Sequence, residues 1–194
     1  MASSSTRMTR ITVISLLSAI AFLMQYFNFP LPPFPSFLKV DFSEVPALLA
    51  AIIFGPFAGV SVELLKNLIH FIFSGSETGI PIGQISNFVA GSTFVATAGW
   101  ITRKIPGIKG LVIGMSVAVL IMASIMSLAN YFVFLPAYAY FIDWTMGEAE
   151  KVALVLYGIA PFNVIKGILT MLIFIPFYIR FKPRVEQYLV PKKL

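Results

Sequence analysis

From Arg10 to Lys182 the chain is almost continuously apolar, and the few charges that interrupt it are sorted by sign. Ten of the fourteen Lys/Arg residues fall in three clusters: Arg7 and Arg10; Arg103, Lys104 and Lys109; and Arg180, Lys182, Arg184, Lys192 and Lys193. Seven of the eight acidic residues lie between those clusters, and Glu186 alone sits within one. Basic and acidic connections that alternate along an apolar chain are the mark the positive-inside rule leaves on a protein crossing a bilayer many times. With 58% hydrophobic and 11% charged residues, a 194-residue soluble domain would leave too much apolar surface in water. Lipid must therefore solvate most of this chain.

The net charge of +6 does not point to nucleic acid, because the positive residues sit at segment ends and tails and form no stripe interleaved with aromatics. The absence of cysteine excludes a disulfide scaffold, thiol catalysis and a Cys-based metal site. Arg7 and Arg10 precede an apolar stretch in the manner of a secretory signal. However, Ile11–Phe27 is long for such a core, and a Pro-rich segment follows it where a small-residue cleavage site would stand, so it reads as a retained first span.

A span needs about 20 apolar residues to cover roughly 30 Å of hydrocarbon. Residues 45–73 suit one tilted helix or two short ones, and 110–142 run for 33 positions without a charge. Sign resolves both cases. With the N-terminus cytoplasmic, the Arg103/Lys104/Lys109 connection is inside only if 45–73 crosses twice, with Gly55-Pro56 as the break. The C-terminal cluster is inside, and Asp143, Glu148 and Glu150 outside, only if 110–142 crosses once. The expectation is an all-α integral membrane protein of six spans, near 11–27, 44–54, 57–73, 80–102, 110–140 and 157–181, with both termini cytoplasmic. The whole chain forms one membrane domain without an internal repeat, and the surplus of the fifth span projects outward around Pro136.

Polar groups at membrane depth are costly unless they face a partner or a cavity. Glu63, Lys66, Asn67 and His70 recur at helical spacing on one face of the third span, as do Gln84, Asn87 and Gly91 on the fourth and Ser124, Ser127 and Asn130 on the fifth. Asn163 and Lys166 share a face of the sixth. Glu63 and Lys66 either neutralise one another or form part of a site. His70 suits a capping or interfacial role, and Ser124 and Ser127 suit packing against their own helix. The amide and ammonium donors of Asn130, Asn163 and Lys166 need partners, Lys166 has no acidic neighbour within its own helix, and all three lie in the outer half of their spans, which points to a ligand cavity open to the outside. The external connection 28–43 is rich in Pro and Phe and therefore stiff, suiting either a lid over a pocket or an interfacial aromatic belt. One His, no Cys and no clustered carboxylates leave no nucleophile–base pair and no hydrolytic metal site. No Gly-rich phosphate loop is present, so any use of ATP belongs to a partner.

The run Phe54-Gly-Pro-Phe-Ala-Gly-Val-Ser-Val-Glu-Leu-Leu-Lys-Asn-Leu-Ile-His70, then Ser74-Gly-Ser-Glu-Thr-Gly-Ile-Pro-Ile-Gly-Gln-Ile-Ser-Asn87 and Ala160-Pro-Phe-Asn-Val-Ile-Lys166, resembles the riboflavin-binding S component of energy-coupling-factor (ECF) vitamin transporters. The resemblance covers nearly the whole chain. It implies a six-helix protein of the prokaryotic cell membrane that captures riboflavin outside. It also implies partners: a transmembrane coupling subunit and two ATP-hydrolysing subunits. No cofactor is implied, and the vitamin is cargo. Carried onto this chain, the binding positions are Lys39, Asp41, Asn87, Asn130, Asn163 and Lys166, and the family's small-residue docking pattern falls on Ser15 and Ala19. Ser15 stands where the family pattern has Ala.

The chemistry of the residues agrees with that ligand. Riboflavin combines a flat apolar ring, an imide-like edge and an uncharged polyhydroxy chain; amides match the edge and abundant Phe the ring. Three other readings remain open at this level. An S component for a thiamine-like cation would use Glu63 as the buried carboxylate. An intramembrane lipid-metabolising enzyme would turn over substrate without accessory subunits, and a structural membrane protein would bind no small molecule tightly.

Overall fold

The structure, a computed structural model, describes residues 4–76 and 79–189. Glu77, Thr78, Lys192 and Lys193, which figure in the charge pattern and motifs above, lie outside the described residues, as do the side chains of Arg184 and Glu186. Six helices form the bundle. They are α1 (Ser4–Tyr26), α2 (Glu44–Phe54), α3 (Pro56–Ser74), α4 (Ile82–Lys104), α5 (Gly107–Ile142) and α6, which runs over residues 148–189. Between α1 and α2 the Pro/Phe-rich connection folds into a two-stranded antiparallel ribbon, β1 (Phe29–Pro30) on β2 (Lys39–Val40).

Among the described residues four helices are long and apolar enough to cross a membrane: α1, α3, α5 and α6. The other two fail for different reasons. At 11 residues α2 is about 16 Å long, half of a hydrocarbon core. Helix α4 has 23 residues but carries Gln84, Ser86, Asn87, Ser92, Thr93 and Thr97. Both are sheltered by neighbours, with α2 against α1, α3, α4 and α6, and α4 against α2, α3 and α5. Small residues permit this close approach. A Cβ on Gly59 or Gly99 would come within 2.7 and 2.9 Å of the Ala51 methyl, respectively.

The contacts also set which ends coincide. Phe22, near the end of α1, packs against His70 and Phe73, near the end of α3, so these two ends coincide. Ser116 meets Met171 and Gly167 meets Val119, so α5 and α6 run oppositely. Gly55 lies under the Arg103 guanidinium. One end of the bundle therefore gathers the start of α1, the α2–α3 turn, Arg103, Lys104, Lys109, Arg180 and Lys182. The other end carries the 28–43 connection and Asp143, Glu148 and Glu150. Charges sorted along the sequence are sorted by end in space.

Helices α5 and α6 outlast the expected spans. Helix α5 continues through Pro136 to Ile142, and α6 begins at Glu148, well before residue 157. In each, a wide π turn stands just before a proline: Asn130–Phe134 before Pro136, and Leu154–Ile159 before Pro161. A proline in a helix lacks one N–H and crowds the carbonyl four residues back, and a locally wider turn accommodates both. The two π turns face each other across the bundle.

Gly55 shows why the Gly-Pro pair divides α2 from α3. Its φ of 104° is a conformation side chains resist, and an added Cβ would sit 2.3 Å from an Arg103 nitrogen. We expect Gly55→Ala to cost about 1–3 kcal/mol, read as a lower melting temperature in detergent. Gly147→Ala, at a φ of −67° with open space around it, should melt like the parent. Equal melting of the two variants would contradict this account of the turn.

Candidate ligand-binding site

Five charged side chains from four parts of the chain meet inside the bundle: Asp41 from the connection, Glu44 from the first turn of α2, Glu63 and Lys66 from α3, and Lys166 from α6. None is more than 5% exposed. The Lys66 ammonium lies 2.8 Å from Glu63 Oε2 and 3.8 Å from Glu44 Oε1, and donates to the Ser43 hydroxyl. Ser43 passes the chain on, donating its hydroxyl and its backbone N–H to Asp41 Oδ1. Lys166 closes the ring, 3.5 Å from Asp41 Oδ2 and 2.9 Å from Glu44 Oε1. Glu63 hangs from this ring, and its carboxyl rests against Gly91 of α4, where a Cβ would lie only 2.1 Å from Oε2. Asn67 extends the polar seam by donating to the Glu63 carbonyl and accepting from Gln25 of α1.

The ring fastens the connection to the helices. Burial pushes the Asp41 carboxyl upward, but Lys166, Lys66 and the Ser43 hydrogen bonds outweigh it and bring it from 3.8 down to about 2. Aromatic contacts hold the rest of the segment. Phe34 packs on Phe162 at 5.7 Å, Phe37 on Trp144 at 5.4 Å, and Leu38 enters the small core of Leu135, Val155 and Ile159. These contacts lay the segment down on the helices.

Beside the ring, at the end of the bundle away from Arg103, lies a cavity of about 700 Å³. Lys39, Asp41 and Asn87 line it, as the sequence suggests. So do Gln25, Asn28, His70, Gln84, Phe37, Tyr138 and Trp144, which give it both amide groups and aromatic rings. The amide of Gln84 donates to the Gly75 carbonyl at 2.8 Å and lies 3.5 Å from His70 Nδ1, so His70 belongs to the wall of the cavity. The Asn87 Oδ1 atom is buried without a hydrogen-bond partner among the described residues.

Asn130, Asn163 and Lys166 stand apart from this lining. Asn130 opens the α5 π turn and donates to the Met126 carbonyl; Asn163 follows the α6 π turn and donates to the Ile159 carbonyl, both at 2.8 Å. Both are buried, close to the segments on which Phe34 and Leu38 rest. Lys166, which lacks an acidic neighbour on its own helix, finds two from elsewhere. Ser124 and Ser127 bond their own helix carbonyls, which is the packing role. Ser15 and Ala19 are exposed on the outer face of α1, remote from the cavity.

Glu44 is the residue that sequence reasoning missed, and a charge count held the signal. Two lysines at membrane depth need two carboxylates, and Glu63 supplies one. Glu63 itself does not reach the cavity, so depth does not separate it from Lys166; one ring joins them.

Together these features define a membrane-embedded helical protein with a small-molecule cavity at one end, closed on one side by an ion-paired loop. A family model for the substrate-specific component of ECF transporters matches residues 9–178, and the chain belongs to that family. The chain is 40% identical to the riboflavin transporter FmnP of Bacillus subtilis, over 93% of this chain and 96% of that one. It is 42% identical to the riboflavin transporter RibU of Staphylococcus aureus, over 88% and 89% respectively. A solved structure described as the S component of a bacterial ECF transporter superposes with a TM-score of 0.79 at 39% identity, covering 92% of this chain and 98% of that one. The family is one of transport proteins, not enzymes.

Two outcomes test the ring. Removing one partner of a buried pair leaves an uncompensated charge, so Lys66→Ala should cost about 3–5 kcal/mol of stability. Lys151→Ala, which breaks a pair 3.7 Å long with the exposed Glu148, should cost less than about 1 kcal/mol. Because the folded pKa of Asp41 is depressed, its contribution is fully present above 3.8 and lost as pH falls toward about 2. Acid melting curves of the parent should show that loss and those of Asp41→Asn should lack it; parallel curves would show that Asp41 is not held as described.

Proposed function

We propose that this chain is the riboflavin-capturing subunit of an ECF importer, taking the vitamin from outside a cell membrane and delivering it through an ATP-driven module. The observation that carries this reading is its 40–42% identity, across most of its length, to proteins named as riboflavin transporters. The topology follows from the basic residues gathered at one end of the bundle. By the positive-inside rule that end, with both termini, faces the cytoplasm and the cavity opens outward.

The cavity suits such a ligand. Its volume lies within the roughly 300–1,000 Å³ usual for small-molecule sites. Riboflavin is neutral, so it needs no counter-charge. Asn87 lines the cavity, and its amide can both donate to and accept from the imide edge of the ring. The rings of Phe37, Tyr138 and Trp144 offer packing surface. Lys39 donates to hydroxyls at the mouth. Asn130 and Asn163 hold further amide groups beneath Leu38 and Phe34, available when the loop lifts, and Lys166 acts by seating Asp41. A thiamine-like cation is disfavoured because Glu63 is committed to Lys66 and lies outside the cavity lining, and Asp41, the carboxylate in that lining, is committed to Lys166.

Partners are a transmembrane coupling subunit and two ATP-hydrolysing subunits, with Ser15 and Ala19 as the docking face. Helices in lipid gain little from apolar burial, so a small-residue face lets a second backbone approach. Its distance from the cavity makes capture and transport separable.

Purified protein titrated with riboflavin should quench the ring fluorescence at one flavin per chain. Asn87→Ala, Asn130→Ala and Asn163→Ala should each weaken binding by about 1–3 kcal/mol, roughly tenfold or more, and Glu63→Gln by less. Loss of binding in Glu63→Gln with the three amide variants intact would favour the cation reading. Ser15→Leu with Ala19→Leu should bind riboflavin normally, yet lose ATP-dependent uptake and co-purification of the coupling subunit. Uptake that survives would place docking elsewhere.

A further inference from the structure

The buried ring does not balance its charge. It contains three carboxyl groups, Asp41, Glu44 and Glu63, against two ammonium groups, Lys66 and Lys166, all within the bundle. A surplus negative charge away from water is costly unless something neutralises it. Glu63 Oε1 and Glu44 Oε2 are moreover buried with no hydrogen-bond partner among the described residues. We propose that the network binds one proton, held on the Glu63 carboxyl, whenever Asp41 is seated in the ring.

The three carboxyl groups differ in what surrounds them. Asp41 is ion-paired to Lys166 and accepts two hydrogen bonds from Ser43. Glu44 Oε1 touches both ammonium groups. Glu63 touches Lys66 alone. Glu44 from α2, Asp41 from the loop and Lys166 from α6 face it through the ring. From α4 it meets Gly91, and from α1 Gln25 reaches only as far as Asn67. The Glu63 carboxyl presses on the α4 backbone so closely that a Cβ at residue 91 would lie 2.1 and 3.0 Å from its two oxygens. That leaves no room on this side for an alkali ion with its shell of oxygens, and the smallest cation fits.

The position of the loop controls the count. With Asp41 withdrawn, Glu44 and Glu63 balance Lys66 and Lys166, two against two. With Asp41 seated, a third carboxylate enters and one proton follows it from water to Glu63. Seating the loop is thus linked to uptake of one proton, and by linkage a lower pH favours the seated loop until Asp41 itself protonates. This holds whatever ligand the cavity takes.

Infrared spectroscopy of the full chain in detergent tests the assignment, because a protonated carboxyl has a C=O stretch distinct from that of a carboxylate and shifted by deuterium. At neutral pH the parent should show one such carboxyl per chain, the same in sodium and potassium buffers. Glu63→Gln and Asp41→Asn should each abolish it, the first by removing the site and the second by removing the surplus charge. A parent spectrum without the band overturns the proposal without recourse to any variant. A band that survives in Glu63→Gln puts the proton elsewhere, one that survives in Asp41→Asn breaks the link to the loop, and one that sodium titrates away makes the ligand an alkali ion.

Discussion

Lys66 and Lys166 cannot be buried in a lipid-solvated bundle without partners, and the way they find them organises the functional end of this protein. Neither can be satisfied within its own helix alone. Lys66 takes Glu63 from one turn away, then reaches Ser43 and Glu44; Lys166 takes Glu44 and Asp41. Four segments distant in sequence are tied at one point, and the connection between α1 and α2 cannot leave without breaking ion pairs. Such rings are not a cheap source of stability, since desolvation offsets much of the attraction. Their value lies in register, because only one arrangement of these helices brings the five groups together.

The geometry around the ring follows from that constraint. Helix α2 is short because its task is to present Glu44 and Ser43 beneath the loop, and it relies on neighbours for shelter from lipid. Helix α4 carries a glycine opposite Glu63, where any larger residue would drive the carboxyl out of place. The loop, held at Asp41 by charge and at Phe34, Phe37 and Leu38 by apolar contact, stands between the open cavity and the buried Asn130 and Asn163. Two kinds of attachment with different sensitivity to water and pH hold one lid.

Much of this was legible in the sequence, for identifiable reasons. The sign of each connection reported on the ends of the bundle, because charges outside the hydrocarbon are free to obey topology. Gly55-Pro56 marked the α2–α3 break, because a positive φ and a missing N–H leave few other structures. The stripe from Glu63 to His70 identified a buried face by helical spacing alone. What spacing cannot express is pairing between helices. Glu44 carried no sequence signal of its own, and Lys166 read as a cation that needs a partner from outside its helix. Helix α6 also begins at Glu148, ahead of the expected 157, whereas α5 runs through Pro136 close to its expected length. The π turns that let both helices continue leave no compositional trace. For Asn130 and Asn163, the pattern signalled buried amides but not that each already bonds its own helix.

The central claim is that Asp41 and Lys166 act as one unit that seats the loop and so shapes the site. A double-mutant cycle on riboflavin affinity tests it most directly, comparing Asp41→Asn, Lys166→Met and the two combined. Residues joined in one ion pair are expected to be strongly non-additive. The account requires the double variant to bind about as well as the weaker single one. Losses that simply add would show that the two residues contribute separately, and the ion-paired lid would then have no part in binding.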